Sequence, residues 1–200
     1  MRKLGLVVTQ RQAYKVTTKR KHSDSVADNV LNQNVKPALP NQVWADDVTY
    51  LRTNQGWLYL AIVMALNSRC IIEWAISKRM TVSLVERALQ MASMLSQRGQ
   101  GILFHSNRGA QYTSKQFQGK GIIASMSGVG ACLDNAFVER FFGSLKNEGL
   151  LNVVYLTREM IKQDVEQYIK YYNHEHLHTT LSDLTPISYE KLQSQESSCA

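Results

Sequence analysis

Residues 134–148 read DNAFVERFFGSLKNE, and this segment organises the rest of the chain. Asp134 follows a Gly-rich stretch and precedes an apolar-periodic run, which is where a helix N-cap is expected. At 3.6 residues per turn, Val138, Phe141 and Leu145 share one face of that helix. The segment therefore predicts a helix with a buried apolar stripe.

The same helix carries three polar residues that could do chemistry. Asn135, Glu139 and Lys146 fall roughly on the side opposite the apolar stripe, at spacings of four and seven residues. A carboxylate and an amine on an exposed face are more often a solvated surface than a site. The functional interpretation therefore depends on the rest of the chain.

Length and composition limit the class of protein. Two hundred residues that are 44% hydrophobic suffice for one globular domain with extensions. The longest uncharged apolar run, residues 57–66, is too short to cross a bilayer, and the N-terminus has no signal-peptide pattern. Cys70, Cys132 and Cys199 are far apart and odd in number, which fits a reducing compartment better than a disulfide framework. We expect a cytoplasmic protein without a membrane partner.

Positive charge is concentrated at the start of the chain. Residues 1–40 hold eight Lys or Arg against two Asp, whereas the remainder holds fifteen against fourteen Asp or Glu. The centre of this region is Lys19, Arg20 and Lys21. A basic arm on a near-neutral domain indicates contact with a polyanion, most simply nucleic acid, and the alternative is a solubilising tail.

Hydrophobic patterning predicts a mixed α/β domain. Three strand-like runs separated by turn residues predict an antiparallel meander, and the middle run is continuously apolar, as in a strand buried on both faces. The predicted strands are residues 43–52, 57–64, 70–76, 102–104 and 122–124. The predicted helices are residues 83–95, 114–118, 134–148 and 157–172. We expect a basic arm over residues 1–40, a compact domain over 41–190 and a disordered tail over 191–200.

Six short strings stand in a particular order along this pattern. They are WADDVTY (44–50), GWLYLA (56–61), HSNRGAQYTS (105–114), SMS (125–127), the helix of residues 134–146 and the spaced set YYN, His178, Leu181, Thr-Pro and Tyr189 (171–189). Together they resemble the catalytic subunit of bacterial insertion-sequence transposases of the insertion-sequence three family, relatives of retroviral integrases. The resemblance covers about residues 1–190.

The resemblance implies a fold and a reaction. The fold is ribonuclease H-like, a mixed five-stranded sheet in order 3-2-1-4-5, with three antiparallel and then two parallel strands, flanked by helices. The reaction is DNA cleavage and strand transfer by a polynucleotidyl transferase, during transposition and DNA integration. The implied partners are DNA (element ends and target), further copies of the chain on that DNA and a protein from an upstream reading frame. The implied location is the bacterial nucleoid.

The resemblance also assigns a catalytic and metal-binding set, namely Asp47, Asn107 and Glu139. Two divalent ions about 4 Å apart clamp the attacking and leaving oxygens of a phosphodiester, and Mg²⁺ (or Mn²⁺) prefers hard oxygen ligands. By strand alternation, Asp46 points to the other face of the sheet. The residues assigned to DNA contact are Lys19, Arg20, Lys21, Arg108, Asn135, Lys146 and His178.

Two departures from the family pattern predict impaired catalysis. Asn107 stands where the family has Asp, and a neutral amide attracts two cations less than a carboxylate does. The interval from Asn107 to Glu139 is about four residues short, which leaves little room for a parallel crossover. The chain also begins inside what resembles a helix-turn-helix segment. We expect a degenerate copy in which both the charge and the missing residues need repair.

Three alternatives remain open at this point. The chain could be a catalytically inactive DNA-binding or subunit-interaction protein, or a ribonuclease H-like nuclease. His174, His176 and His178 alternate and could form a metal site on an extended segment, whereas the resemblance places His178 in a tail that packs on the domain or touches DNA.

Overall fold

The computed structural model describes residues 28–31, 37, 41–95, 101–106, 122–126 and 135–198. The strands are β1 (Val43–Thr53), β2 (Gly56–Ala65), β3 (Ile71–Ser77), β4 (Ile102–Ser106) and β5 (Ile122–Met126). The helices are α1 (Val82–Leu95), α2 (Ala136–Ser144), α3 (Arg158–His174) and α4 (Pro186–Ser198). The helix predicted over residues 114–118 lies outside the described residues.

The five strands form one mixed sheet in the order β3-β2-β1-β4-β5. β1 pairs antiparallel with β2 and β2 with β3, while β4 runs parallel to both β1 and β5. The β1–β2 hairpin turns through Asn54 and Gln55. Gly56 follows with a φ of 102°, a value that residues other than glycine rarely adopt. The predicted strand order and directions are confirmed, with β1 at the centre.

The short interval before β5 does not displace this strand. All five residues of β5 pair in parallel register with β4, from Ile102 opposite Ile122 to Ser106 opposite Met126. The expectation that the missing residues would disturb the strand is not met at this position, because the register is continuous over the full length of both strands.

Strand alternation gives the sheet two differently covered faces. α1 packs against one face over β2 and β3, in a core that includes Trp44, Ala61 and Val63. α2 and α3 pack against the opposite face, in a core that includes Ala45 and Ile62. Even-numbered residues at the start of β1 thus face α1, and odd-numbered residues face α2 and α3.

The buried stripe of α2 is as predicted, but the beginning of the helix differs from the prediction. Val138, Phe141 and Leu145 are all buried, as the apolar stripe requires. The N-cap position is Asn135 rather than Asp134, and the Asn135 side chain makes no capping hydrogen bond. Asp134 itself lies outside the described residues.

After Ser144, α2 continues as a π-helical turn, Leu145–Gly149, that periodicity does not reveal. This turn packs closely on α3. A Cβ atom at Gly149 would lie 2.6 Å from Cδ2 of Tyr168, so only glycine allows this approach. The Tyr168 hydroxyl donates to Glu148 Oε2 at 2.9 Å. The end of the segment is therefore held by α3.

The C-terminal segment corrects the predicted disordered tail. α4 runs from Pro186 to Ser198, so residues 191–198 are helical. Proline is favoured in the first helical turn, and Thr185 Oγ1 accepts a hydrogen bond from Ser188 N–H as a cap would. Ser68 donates to Glu190 at 2.6 Å, which anchors this helix to the turn before β3.

α3 is joined to the edge of the sheet by one buried side chain. Asn173 Nδ2 donates to the carbonyl of Ile71, and Asn173 Oδ1 accepts from the N–H of Ile71, both at 2.9 Å. Asn173 is 8% exposed, so water does not replace these bonds easily. The sequence motif that contains Asn173 thus has a structural role.

We predict that Asn173→Ala lowers the free energy of unfolding by about 2 kcal/mol or more, because two backbone groups of Ile71 lose buried partners. Urea denaturation monitored by circular dichroism measures this change. Asn147→Ala, at an exposed position of the π-helical turn, is the control and should change the free energy by less than about 0.5 kcal/mol. Equal effects of the two substitutions would contradict the prediction.

Candidate active site

Asp47 lies on the central strand, on the face covered by α2 and α3. Its Cα partner across the hairpin is Ile62, a fully buried member of the core on that face. Asp47 itself is half-buried, and its Oδ1 accepts a hydrogen bond from the N–H of Val48 at 2.8 Å. The carboxylate is thus oriented by its own strand and remains accessible to solvent. Asp46 is buried and lies opposite Val63, on the α1 face, as alternation predicts.

Asn135, the residue immediately before α2, is held against β1 beside Asp47. Asn135 is fully buried, and its Nδ2 donates to the carbonyl oxygen of Asp46 at 3.0 Å. The prediction that Asn135 lies on an exposed side is wrong, because the helix approaches the sheet with this residue inward. The Asn135 side chain therefore joins the start of α2 to β1 next to Asp47. This side chain is not exposed to solvent.

Glu139 follows Asn135 by one helical turn. Its N–H donates to the carbonyl of Asn135 at 3.1 Å, and residues four apart share a side of a helix. Glu139 is half-buried and belongs to α2, the helix that packs on the sheet face of Asp47. Its role as the second carboxylate of the site stays a prediction.

Lys146 adds positive charge to this region. Its ammonium lies 4.8 Å from the centroid of the Tyr50 ring. Burial lowers the pKa of Lys146, and the nearby Asp47 carboxylate acts against this shift by raising it. The structure thus brings Lys146 within electrostatic reach of Asp47, as expected for a cation next to a phosphate-handling site.

The third predicted position lies at the end of β4. Ser106 is the Cα partner of Asp46, so β4 reaches the level of the residue before Asp47, and Asn107 is the next residue of the chain. Asn107 and Arg108 lie outside the described residues, as do Lys19, Arg20 and Lys21. Their roles stay predictions.

Comparison with known proteins decides the family. The family described as "Integrase core domain" matches residues 37–142, and a second family with the same description matches residues 120–186. Transposase InsF for insertion sequence IS3A from Escherichia coli (strain K12) is 40% identical over 195 residues, which are 95% of this chain and 68% of the relative. The chain belongs to the insertion-sequence transposase family with an integrase core. Members are DDE-type polynucleotidyl transferases.

Other relatives agree with this assignment. The "Insertion element IS600 uncharacterized 31 kDa protein" of Shigella sonnei is 36% identical and covers 95% of this chain and 72% of its own length. Among solved structures, the catalytic core domain of HTLV-2 integrase in complex with magnesium matches with a TM-score of 0.57 at 21% identity, over 76% of this chain and 98% of that one. The core domain of BIV integrase matches with a TM-score of 0.55 at 15% identity, over 80% and 99%. These structures show the shared ribonuclease H-like fold.

The described residues of the integrase core include suitable donors for a divalent metal. Asp47 and Glu139 offer hard carboxylate oxygens, the donor type that Mg²⁺ prefers. Across the part of the chain that the structure describes, no group of three His, Cys, Asp or Glu side chains could hold a metal ion. The chemistry of the two carboxylates fits Mg²⁺, and a further donor at position 107 stays a prediction.

The three histidines lie in and after the last turn of α3. His174 is exposed at the helix end, whereas the rings of His176 and His178 pack 4.6 Å apart beside Tyr172. The Tyr172 centroid lies 5.6 Å from that of His176 and 4.9 Å from that of His178. His178 thus packs on the integrase core, one of the two alternatives, and its DNA contact stays a prediction.

The pKa of His178 lies below the usual value for histidine. Burial, reinforced by the charges of His176, Arg69 and Arg140, lowers the pKa of His178 to about 4. The structure therefore favours the neutral imidazole, which packs edge to face against Tyr172 without the cost of burying a charge.

Among the described helices, none is long and apolar enough to span a membrane.

We predict that lowering the pH destabilises the integrase core through His178. An unfolded histidine takes up a proton near pH 6.5, whereas folded His178 does so only near pH 4. Stability from neutral His178 is therefore present above pH 6.5 and is lost as the pH falls towards 4. Urea denaturation at several pH values should show this decline.

His178→Asn should reduce the pH dependence of the unfolding free energy in this range. His174→Asn, which changes an exposed histidine in the same segment, is the matched control and should leave the dependence unchanged. An unaltered slope in His178→Asn would contradict the assignment.

Proposed function

We propose that this chain cleaves and joins DNA strands at the ends of a mobile element, with catalysis impaired by Asn107. The observation that carries the proposal is the buried bond from Asn135 to the Asp46 carbonyl, which joins the start of α2, the helix of Glu139, to β1 beside Asp47. A divalent cation, held by Asp47, Glu139 and the amide oxygen of Asn107, would supply charge stabilisation and polarisation of a phosphodiester.

The chain's own residues then orient the DNA. Lys146, beside Asp47, would hold a phosphate oxygen, because its ammonium is partly buried and lies within electrostatic reach of the Asp47 carboxylate. Arg108 would contact the next phosphate. Val48 N–H keeps the Asp47 carboxylate in one orientation, which limits the reorganisation needed when DNA binds.

The partners follow from the same assignment. The chain would bind element ends and target DNA, and would act as an assembly of several copies on the bacterial nucleoid. The relatives support this view: one similar structure is an intasome of a simian T-cell lymphotropic virus, with a TM-score of 0.60 at 15% identity over 86% of this chain and 60% of that one. For this chain, assembly on DNA is a proposal.

Asn107 favours a second candidate function. With a neutral side chain at the third position, the chain would bind DNA and other transposase copies without cutting, and so interfere with an intact transposase. The regular sheet and the intact α2–β1 contact support a binding-competent fold in this case. Strand cleavage in the presence of Mg²⁺ or Mn²⁺ separates the two candidates.

We predict that Asn107→Asp alone increases strand cleavage by at least about tenfold. An added unit charge close to a divalent cation is worth several kcal/mol even at an effective dielectric constant of 20. Because β5 keeps its full register with β4, we expect this gain without an insertion. The measurement is cleavage of a labelled DNA duplex with Mg²⁺ and with Mn²⁺.

Asn152→Asp, on an exposed loop, adds the same charge elsewhere and should leave cleavage unchanged. In the Asn107→Asp background, Asp47→Asn and Glu139→Gln should abolish the gain. Robust strand transfer by the unaltered chain would refute the impairment, and no gain in Asn107→Asp would refute the role of charge at this position.

We also predict that the basic arm contributes to DNA affinity regardless of sequence. Replacing Lys19, Arg20 and Lys21 by Gln should weaken binding equally for unrelated duplexes and should reduce the slope of log K against log salt by up to about 3. Fluorescence anisotropy at several salt concentrations measures both effects.

The control replaces Lys162 and Lys170 by Gln. These exposed cations already pair with Glu159 and Glu166, at 3.6 and 2.9 Å, so their loss should change the slope less. Equal slopes for the two variants would show that the arm is only a tail.

A further inference from the structure

The β1–β2 hairpin carries two exposed aromatic rings that the proposed reaction does not use. Tyr50 is 55% exposed and Trp57 is 47% exposed. Their ring centroids lie 5.4 Å apart, with the ring planes at 84°. Trp57 is the Cα partner of Arg52, two residues along β1 from Tyr50, so the two rings form a diagonal cross-strand pair.

A cation accompanies each of these rings. The Lys146 ammonium lies 4.8 Å from the Tyr50 centroid, and the Arg52 guanidinium carbon lies 5.9 Å from the Trp57 centroid. Two exposed aromatic rings that alternate with two cations are the usual composition of surfaces that bind single-stranded nucleic acid. A pair that served only to stabilise the hairpin would not need either cation.

This surface meets the candidate active site at the edge of the sheet. Tyr50 follows Asp47 by three residues on β1, a distance of about 10 Å, so by alternation the rings lie on the α1 side of the sheet and Asp47 lies on the other side. Lys146 joins the two regions, because its ammonium lies over Tyr50 and is also influenced by the Asp47 carboxylate. A DNA strand with a phosphate at Asp47 would therefore pass the edge of β1 beyond Asp46, which β4 does not cover, before it places a base on the rings.

The hairpin is also open to a strand of DNA. Within the described residues, β4 pairs with β1 only from Val43 to Asp46, so the later part of β1 has no strand partner on that side. α1 packs over β2 and β3. The distal part of the hairpin, with Tyr50, Arg52 and Trp57, is therefore accessible beside the site.

We propose that Tyr50 and Trp57 form a stacking platform for an unpaired DNA base, with Arg52 and Lys146 holding the neighbouring phosphates. The inference rests on the proposed function, since it deepens the way that this site binds DNA. Charge-assisted hydrogen bonds to phosphate are stronger than exposed cation–π contacts, so DNA would draw both cations from the rings and free the ring faces for a base. A base within a duplex is already stacked and does not offer its face.

The test compares two DNA probes of the same sequence, a blunt duplex and a duplex with a short single-stranded extension that contains 2-aminopurine. We expect the unaltered chain to bind the extended probe more tightly and to quench the 2-aminopurine emission. Trp57→Ala should weaken binding of the extended probe by about 5- to 150-fold and leave the blunt duplex nearly unchanged. Trp57→Phe, which keeps a ring, should retain most of the affinity and the quenching.

Tyr171→Ala is the matched control, because Tyr171 is an aromatic residue of similar exposure, 42%, on α3. It should leave the affinity for both probes unchanged. Thermal unfolding of each variant separates a loss of stacking from a loss of folding.

The other outcomes distinguish this inference from the proposed function. If the chain binds the blunt duplex and Trp57→Ala affects both probes equally or neither, the platform is refuted while DNA binding stands. If Trp57→Ala changes only thermal stability or self-association, the rings serve the hairpin or a second copy, and the platform is again refuted. If the unaltered chain binds neither probe, both the platform and the proposed function fail.

Discussion

The hydrogen bond from the Asn135 side chain to the carbonyl oxygen of Asp46 holds the candidate site together. Both residues are almost completely buried, so the bond has no competing water and would be costly to break. The carbonyl belongs to the residue before Asp47, and the amide lies one helical turn before Glu139. Two carboxylates repel each other unless a cation is present. A scaffold that presents both carboxylates to one cation must work against this repulsion, and the Asn135 amide joins α2 to β1 without adding charge.

Packing in the rest of the core supports this contact. The Phe141 ring packs against Tyr172 of α3 at 4.8 Å, and the π-helical turn is held by Tyr168. α3 in turn is joined to β3 through Asn173. The position of α2 over the sheet thus depends on packing that runs from the central strand, through two helices, to an edge strand. A change far from the carboxylates can alter their separation through this path.

Several residues show how far the sequence predicts the structure. The buried stripe of α2 and the start of α3 near residue 157 are confirmed, because they follow from local periodicity; Thr157 Oγ1 caps α3 by accepting from Met160 N–H. The strand order is confirmed as the family resemblance implies. Asn135 was placed on the wrong side of its helix, since periodicity does not show how close a helix end lies to the sheet. The helix of residues 186–198 was missed because its polar composition has no apolar stripe, and its contact with the turn before β3 is tertiary.

The sequence by itself determined the class of fold and the transposase family, because six motifs stand in one order. It also predicts the two carboxylates, and alternation along β1 separates Asp46 from Asp47. Only the tertiary structure decided what the polar residues around them do. In the structure, Asn135 is a buried hydrogen-bond donor to β1, and His178 packs as a neutral imidazole. Tyr50 and Trp57 form an exposed aromatic pair flanked by cations. These roles depend on burial and on neighbours distant in the chain. Neither is encoded in the spacing of residues along one element.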